Sequence, residues 1–155
     1  MSSDLILSVE VEAPAGTTWL ALTDWPRQSE WVLGTTVRVL EGNGRSVGSK
    51  IAATTGIAGV GFTDTMEVTA WEPPLRVTMR HLGSFVRGTA AFQVVANGPT
   101  RSTFVWAEHL DLPFGLLGRL GWPAVRPAFS LGVHQSMKRF AKFVQDYADY
   151  TAGEQ

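Results

Sequence analysis

Apolar and polar positions alternate with a period of two along most of the chain and change to a helical period near the C-terminus. Leu5, Leu7, Val9 and Val11 share one parity, with Ile6, Ser8, Glu10 and Glu12 on the other, which predicts a half-buried strand. Two short helices are predicted next, over 18–22 and 25–31, with Pro14 and Pro26 suited to their first turns. Six further strands follow, over 37–41, 47–55, 62–71, 76–82, 86–96 and 102–110. Turn chemistry separates them at Gly42-Asn43-Gly44, Gly56–Gly59, Glu72-Pro73-Pro74, Gly83-Ser84 and Asn97-Gly98-Pro99. Strands in series joined by short turns favour an antiparallel meander.

From Pro127 to Asp149 the spacing becomes that of an α-helix. Phe129, Val133, Met137, Phe140, Ala141, Phe143, Val144, Tyr147 and Ala148 fall within one half of the helix, and Gln135, Lys138, Arg139, Lys142, Gln145, Asp146 and Asp149 within the other, with Leu131 the one clear exception. Such a wide apolar face requires a broad hydrophobic surface to rest on. Gly132 and Ser136 are small residues inside that face. A glycine within a helix costs about 1 kcal/mol against alanine, so it calls for a reason. Two readings stand: a core helix packed throughout, or a helix roofing a cavity, with space left at Gly132 and Ser136.

Composition narrows the function classes. The 155 residues are 45% hydrophobic and 17% charged, which suits one globular domain spanning 1–155. A net charge of -1 offers no overall basic signal for nucleic acid. There is no cysteine, so disulfide, thiol and thiolate-metal chemistry are excluded. No apolar run approaches membrane-spanning length and the N-terminus lacks a signal peptide's basic region, so a cytoplasmic location is expected. Dinucleotide and phosphate loops, a serine elbow and zinc-ligand spacing among His81, His109 and His134 are all missing. Neither cofactor nor metal is therefore expected.

Particular stretches resemble a known superfamily. Val11-Glu12-Ala13-Pro14, Trp19, Thr23-Asp24-Trp25-Pro26 and Trp31 look like its opening, and Val47-Gly48-Ser49, Trp71-Glu72-Pro73-Pro74 and Gly98-Pro99-Thr100-Arg101 like its turns. With the order of elements, they make the chain similar to the START-like (SRPBCC) superfamily, in the Bet v 1 and polyketide cyclase/dehydrase-like branch. The resemblance implies an α+β helix-grip fold: a curved seven-stranded antiparallel sheet wrapped around the long C-terminal helix. It also implies a cavity for a hydrophobic or aromatic small molecule, lipid- or polyketide-like. Enzymes resembling polyketide cyclases or aromatases form the alternative, and toxin-like or protein-binding modules a third class. A monomer or homodimer is expected.

Strand parity nominates the cavity residues. Asp64 shares the parity of Phe62, Met66, Val68 and Ala70; His81 that of Val77 and Met79; Glu108 that of Phe104, Trp106 and Leu110. A turn placing Ala70 near Val77 sets His81 beside Met66 with Asp64 diagonal to it, within reach. Asp64 and His81 are thus candidate catalytic residues, or polar groups meeting water at the cavity mouth. The same counting sets Glu108 beside Ala90 and remote from His81, where it bonds either a ligand or the backbone. Met66, Met79, Phe92, Trp106, Glu108, Phe129, Gly132, Val133, Ser136, Met137 and Phe140 are the candidate ligand contacts, with His134 an interface histidine. Leu112 to Trp122, rich in glycine and apolar residues, is a candidate lid or partner surface.

Overall fold

The computed structural model describes residues 2–57, 60–83, 86–111 and 116–153. Strand β1 (Ser2–Val11) leads to helix α1 (Ala15–Leu22) and a short 3-10 helix, Trp25–Glu30. Strands β2 (Thr35–Glu41), β3 (Lys50–Ile57), β4 (Val60–Glu72), β5 (Arg76–His81), β6 (Arg87–Ala96) and β7 (Ser102–Asp111) precede the long helix α2 (Leu116–Gly153). The seven strands form one antiparallel sheet in the order β1-β7-β6-β5-β4-β3-β2. The two short helical segments carry the chain from one edge of the curved sheet to the other. Consecutive strands pair because their turns are too short for anything else; only the β1 to β2 connection spans the sheet.

One register differs from the expected count. Val68 pairs with Met79, but Ala70 pairs with Thr78, so Thr69 is an extra residue in β4. The bulge puts Trp71, not Ala70, opposite Val77. Trp71 thereby joins the inner side, its ring 5.1 Å from that of Trp19 on α1. Beyond the bulge the pairing of Met66 with His81 is as expected.

Helix α2 begins well before the expected Pro127. Pro123 and Pro127 both lie inside it, although a helical proline offers no N–H to the carbonyl four residues back. The carbonyls of Arg119 and Pro123 therefore lack that donor. Proline marks a first turn in many helices, but here it fails as a boundary signal. Leu120, Val125 and Leu131 in this half are more than half exposed, whereas Val133, Met137, Phe140, Phe143 and Val144 further on are buried.

The closed end of the core is aromatic. Trp31, fully buried, lies 4.7 Å from Phe140, 5.9 Å from Phe104 and 6.1 Å from Trp106, centroid to centroid. Around it the connections are polar and specific. Trp25 Nε1 donates to the Gly44 carbonyl at 2.8 Å, Ser102 donates to the Ala13 carbonyl at 2.9 Å, and Thr18 and Ser102 share a hydrogen bond of 2.7 Å. Arg27 stacks over Phe143 and Tyr147, fastening the 3-10 helix to α2.

The indole N–H of Trp31 has no hydrogen-bond partner among the described residues. Trp31→Phe therefore forfeits no hydrogen bond and should cost less than Trp31→Ala, for which about 3–5 kcal/mol is expected. Urea unfolding of both variants checks this; equal losses would show that the indole edge carries the packing.

Candidate functional site

A cavity of about 570 Å³ lies between the inner face of the sheet and the half of α2 nearer its N-terminus. Met66, Met79, Phe92, Trp106, Glu108, Phe129, Gly132, Val133 and Ser136 line it, together with Asp64 and His81. Met137 and Phe140, counted as contacts from the helical period, do not. They are almost wholly buried in the core, with Phe140 held between Trp31 and Phe104. The helical period identifies an apolar face, but not the point along it where cavity gives way to solid core.

Parity on β4, β5 and β7 found one wall, and the same argument applied to β2 and β3 finds another. Thr35, Val37, Ile51, Ala53 and Thr55 alternate inward and line the cavity. Trp25, Gln28, Val32 and Leu33, from the 3-10 helix and the residues after it, close one end. No periodicity in that stretch points to a lining role. Near the ends of β6 and β7 the lining includes Arg87, Leu110 and Asp111, and from α2 it includes Trp122 and Val125.

The small residues of α2 serve different ends. A Cβ on Gly132 would meet nothing within 4 Å, so its missing side chain leaves open space. Ser136, by contrast, is buried, and its Oγ accepts the N–H of Leu33 at 3.0 Å. It ties α2 to the loop after the 3-10 helix. His134, expected at an interface, is exposed. In the expected lid, residues 112–115 lie outside the described residues, and 116–122 form the first turns of α2.

Three ionisable side chains converge on the sheet wall. His81 Nδ1 is 2.8 Å from Asp64 Oδ2, and His81 Nε2 is 3.1 Å from Glu108 Oε2. The side chains of His81, Glu108 and Asp64 are only 3%, 9% and 14% exposed. The expected separation of Glu108 from His81 is therefore wrong, although its pairing with Ala90 is right. His81 stands opposite Gly88, and Glu108 opposite Ala90, so between them the intervening strand β6 presents almost no side chain on this face. Across that gap two residues on non-adjacent strands meet. Gly88 itself has φ +110°, and a Cβ there would lie 2.0 Å from the His109 carbonyl oxygen, so only glycine fits.

Burial alone would push the His81 imidazolium down, but hydrogen bonds to Asp64 and Glu108, with their charges, outweigh it and raise the pKa to about 9. At neutral pH the ring is charged and donates from both nitrogens. Trp106 Nε1 donates to the other oxygen of Glu108 at 3.0 Å. Asp64 Oδ1 is buried with no hydrogen-bond partner among the described residues. Two carboxyl groups therefore face one imidazolium in an otherwise largely apolar cavity. Among the described residues no group of three His, Cys, Asp or Glu side chains is arranged to hold a metal ion, and no helix is long and apolar enough to cross a membrane.

The family model described as polyketide cyclase / dehydrase and lipid transport matches residues 5–145. The chain belongs to this family. Solved structures agree with the fold of a polyketide cyclase/dehydrase family member. The Zhui aromatase/cyclase from Streptomyces sp. R1128 superposes with a TM-score of 0.73 at 18% identity, covering 94% of each chain. A START superfamily protein from Mycobacterium smegmatis gives 0.67 at 14% identity over 96% of this chain and 98% of its own. Truncated norcoclaurine synthase from Thalictrum flavum gives 0.68 at 14% identity over 93% and 94%. At these identities the likeness is one of fold, the START-like helix-grip fold. No curated protein sequence matches the chain.

A histidine whose pKa is higher folded than unfolded adds stability that is complete below about pH 6.5 and lost as pH rises through about 9. Wild-type stability should accordingly fall between those values relative to His81→Gln, whose side chain does not titrate. Urea unfolding of both proteins at pH 6, 7.5 and 9 measures the difference. A difference independent of pH would show that His81 is not held as the imidazolium.

Proposed function

We propose that this chain binds a hydrophobic or aromatic small molecule, lipid- or polyketide-like, in the cavity beneath α2. The observation that carries this reading is the cavity itself. Its volume of about 570 Å³ lies within the range of small-molecule sites, roughly 300–1,000 Å³, and its buried charges gather on one wall. Apolar contacts supply affinity in such a site, and a few fixed polar groups set orientation. Phe92, Trp106, Met66 and Met79 offer the apolar contacts, while Asp64, His81 and Glu108 offer the polar end. Membership of a family described by cyclase, dehydrase and lipid transport supports the same class of ligand.

A second reading, an enzyme resembling polyketide cyclases or dehydrases, is favoured by one observation: His81 sits between two carboxylates inside the cavity. An imidazolium so placed is a general-acid candidate. Both of its N–H groups are already donated, however, so it can protonate a substrate only after one carboxylate gives way. With a cyclisable polyketide-like substrate, His81→Gln separates the two readings. Lost turnover with retained binding establishes the enzyme, and binding without turnover in wild type establishes the carrier.

Gly132→Leu tests the cavity directly. The new side chain enters open space and gains about 0.8 kcal/mol of helix propensity. Melting temperature should hold or rise while binding of a hydrophobic fluorescent probe falls. A lowered melting temperature with probe binding intact would remove the main support for a ligand site there. Ser136→Leu is expected to differ: it loses the bond to Leu33 and should destabilise by about 1–3 kcal/mol.

A further inference from the structure

The polar wall of the cavity contains several acceptors and no unspent donor from its own three-residue chain or the adjoining tryptophan. Both His81 N–H groups go to carboxylates, and the Trp106 indole N–H goes to Glu108. Trp25, also in the lining, gives its indole N–H to the Gly44 carbonyl. Each ionised carboxylate has about four acceptor positions. Asp64 fills one of them with His81, and Glu108 fills two, with His81 and Trp106. Asp64 Oδ1 has no hydrogen-bond partner among the described residues, and rotation about the last torsion of the side chain exchanges the two oxygens.

We infer that the cavity takes a ligand whose polar end donates hydrogen bonds and bears no negative charge, such as a phenol, an alcohol or an ammonium group. The inference rests on the ligand-binding reading and names the chemistry of that same site. A ligand carboxylate would meet two carboxyl groups whose only cationic partner, His81, already serves both. A bare ketone would meet oxygens that accept and cannot give. Against this wall, either would have to displace an existing hydrogen bond to be satisfied. A hydroxyl or ammonium group instead adds a donor where a buried carboxylate lacks one. Donors elsewhere in the lining, on Gln28 and Arg87, make this preference a property of the wall formed by Asp64, His81 and Glu108. Thr35 and Thr55 bond to each other, and Thr35 also to the Leu33 carbonyl. Gln28 gives an amide N–H to the Leu22 carbonyl, and Arg87 and Asp111, exposed strand partners at the ends of β6 and β7, bring one charge of each sign.

Matched naphthalenes differing only in the end group test this. Calorimetric or fluorescence titration at pH 7 compares 2-naphthol and 2-naphthylmethylammonium with 2-acetonaphthone and 2-naphthoate. The two donors should bind at least tenfold tighter than the ketone and the carboxylate. Glu108→Gln, which removes one of the two carboxyl groups and adds an amide donor, should reduce the deficit of the carboxylate to within about threefold. If circular dichroism shows that variant unfolded, Asp64→Asn replaces it. Naphthoate or acetonaphthone binding as tightly as naphthol to wild type overturns the inference and leaves the cavity reading intact. Failure of all four to bind overturns the cavity reading, and this inference with it.

Discussion

The rest of the structure depends on a mismatch of width. The concave face of a seven-stranded curved sheet is broader than one helix can cover with close-packed side chains. Where the chain fills the gap, it does so with large rings: Trp31 from the β1–β2 connection lies among Phe92, Phe104, Trp106 and Phe140. Around this plug α2 presses down through Val133, Met137, Phe140 and Val144. Further towards its N-terminus the rings of Trp122 and Phe129 line the space without filling it and Gly132 withholds a side chain, so the same gap remains open as the cavity. Core and cavity are two ends of a single space, divided by where the aromatic residues happen to fall.

Burying three charges in that space is costly. Removing an ion from water carries a penalty of several kcal/mol even after the protein relaxes, and well-made hydrogen bonds offset only part of it. An apolar wall of the same shape would serve stability at least as well. Titratable groups held in a cavity against that tendency, with one strongly shifted, belong more often to sites than to scaffolds. Mutual neutralisation is incomplete, because two carboxylates face one imidazolium. The surplus charge is what gives the wall its chemical preference.

Much of the fold was legible because it rests on local periodicity. Alternation placed seven strands, and the short turns between them left antiparallel pairing as the simple solution. The contact of Asp64 with His81 followed from register. The count behind it was anchored at Ala70 and Val77, where the bulge at Thr69 makes it wrong, yet it holds where the site is. Glu108 was misjudged for another reason. Counting adjacent strands treats β6 as a barrier, whereas Gly88 and Ala90 make it a bare strip that long side chains cross. The early start of α2 was hidden by reading Pro127 as a first turn. The role of Ser136 was hidden because its partner, the Leu33 N–H, lies 103 residues away.

The diagonal from β4 through β5 to β7 has a further effect, on which strand pairings the chain can tolerate. If β5 slid by one residue, His81 would point to the convex side and leave Asp64 and Glu108 buried without a counter-charge. A slide by two would keep the face but move the ring by about 7 Å, beyond reach of both carboxylates. Apolar rows of Val, Met and Phe are forgiving of such shifts, since one hydrophobic neighbour substitutes for another. Two hydrogen bonds from a single ring to different strands are not. The three charged residues thus act as a pin through four strands, excluding alternative alignments of a sheet whose cavity leaves part of its inner face without close-packed neighbours.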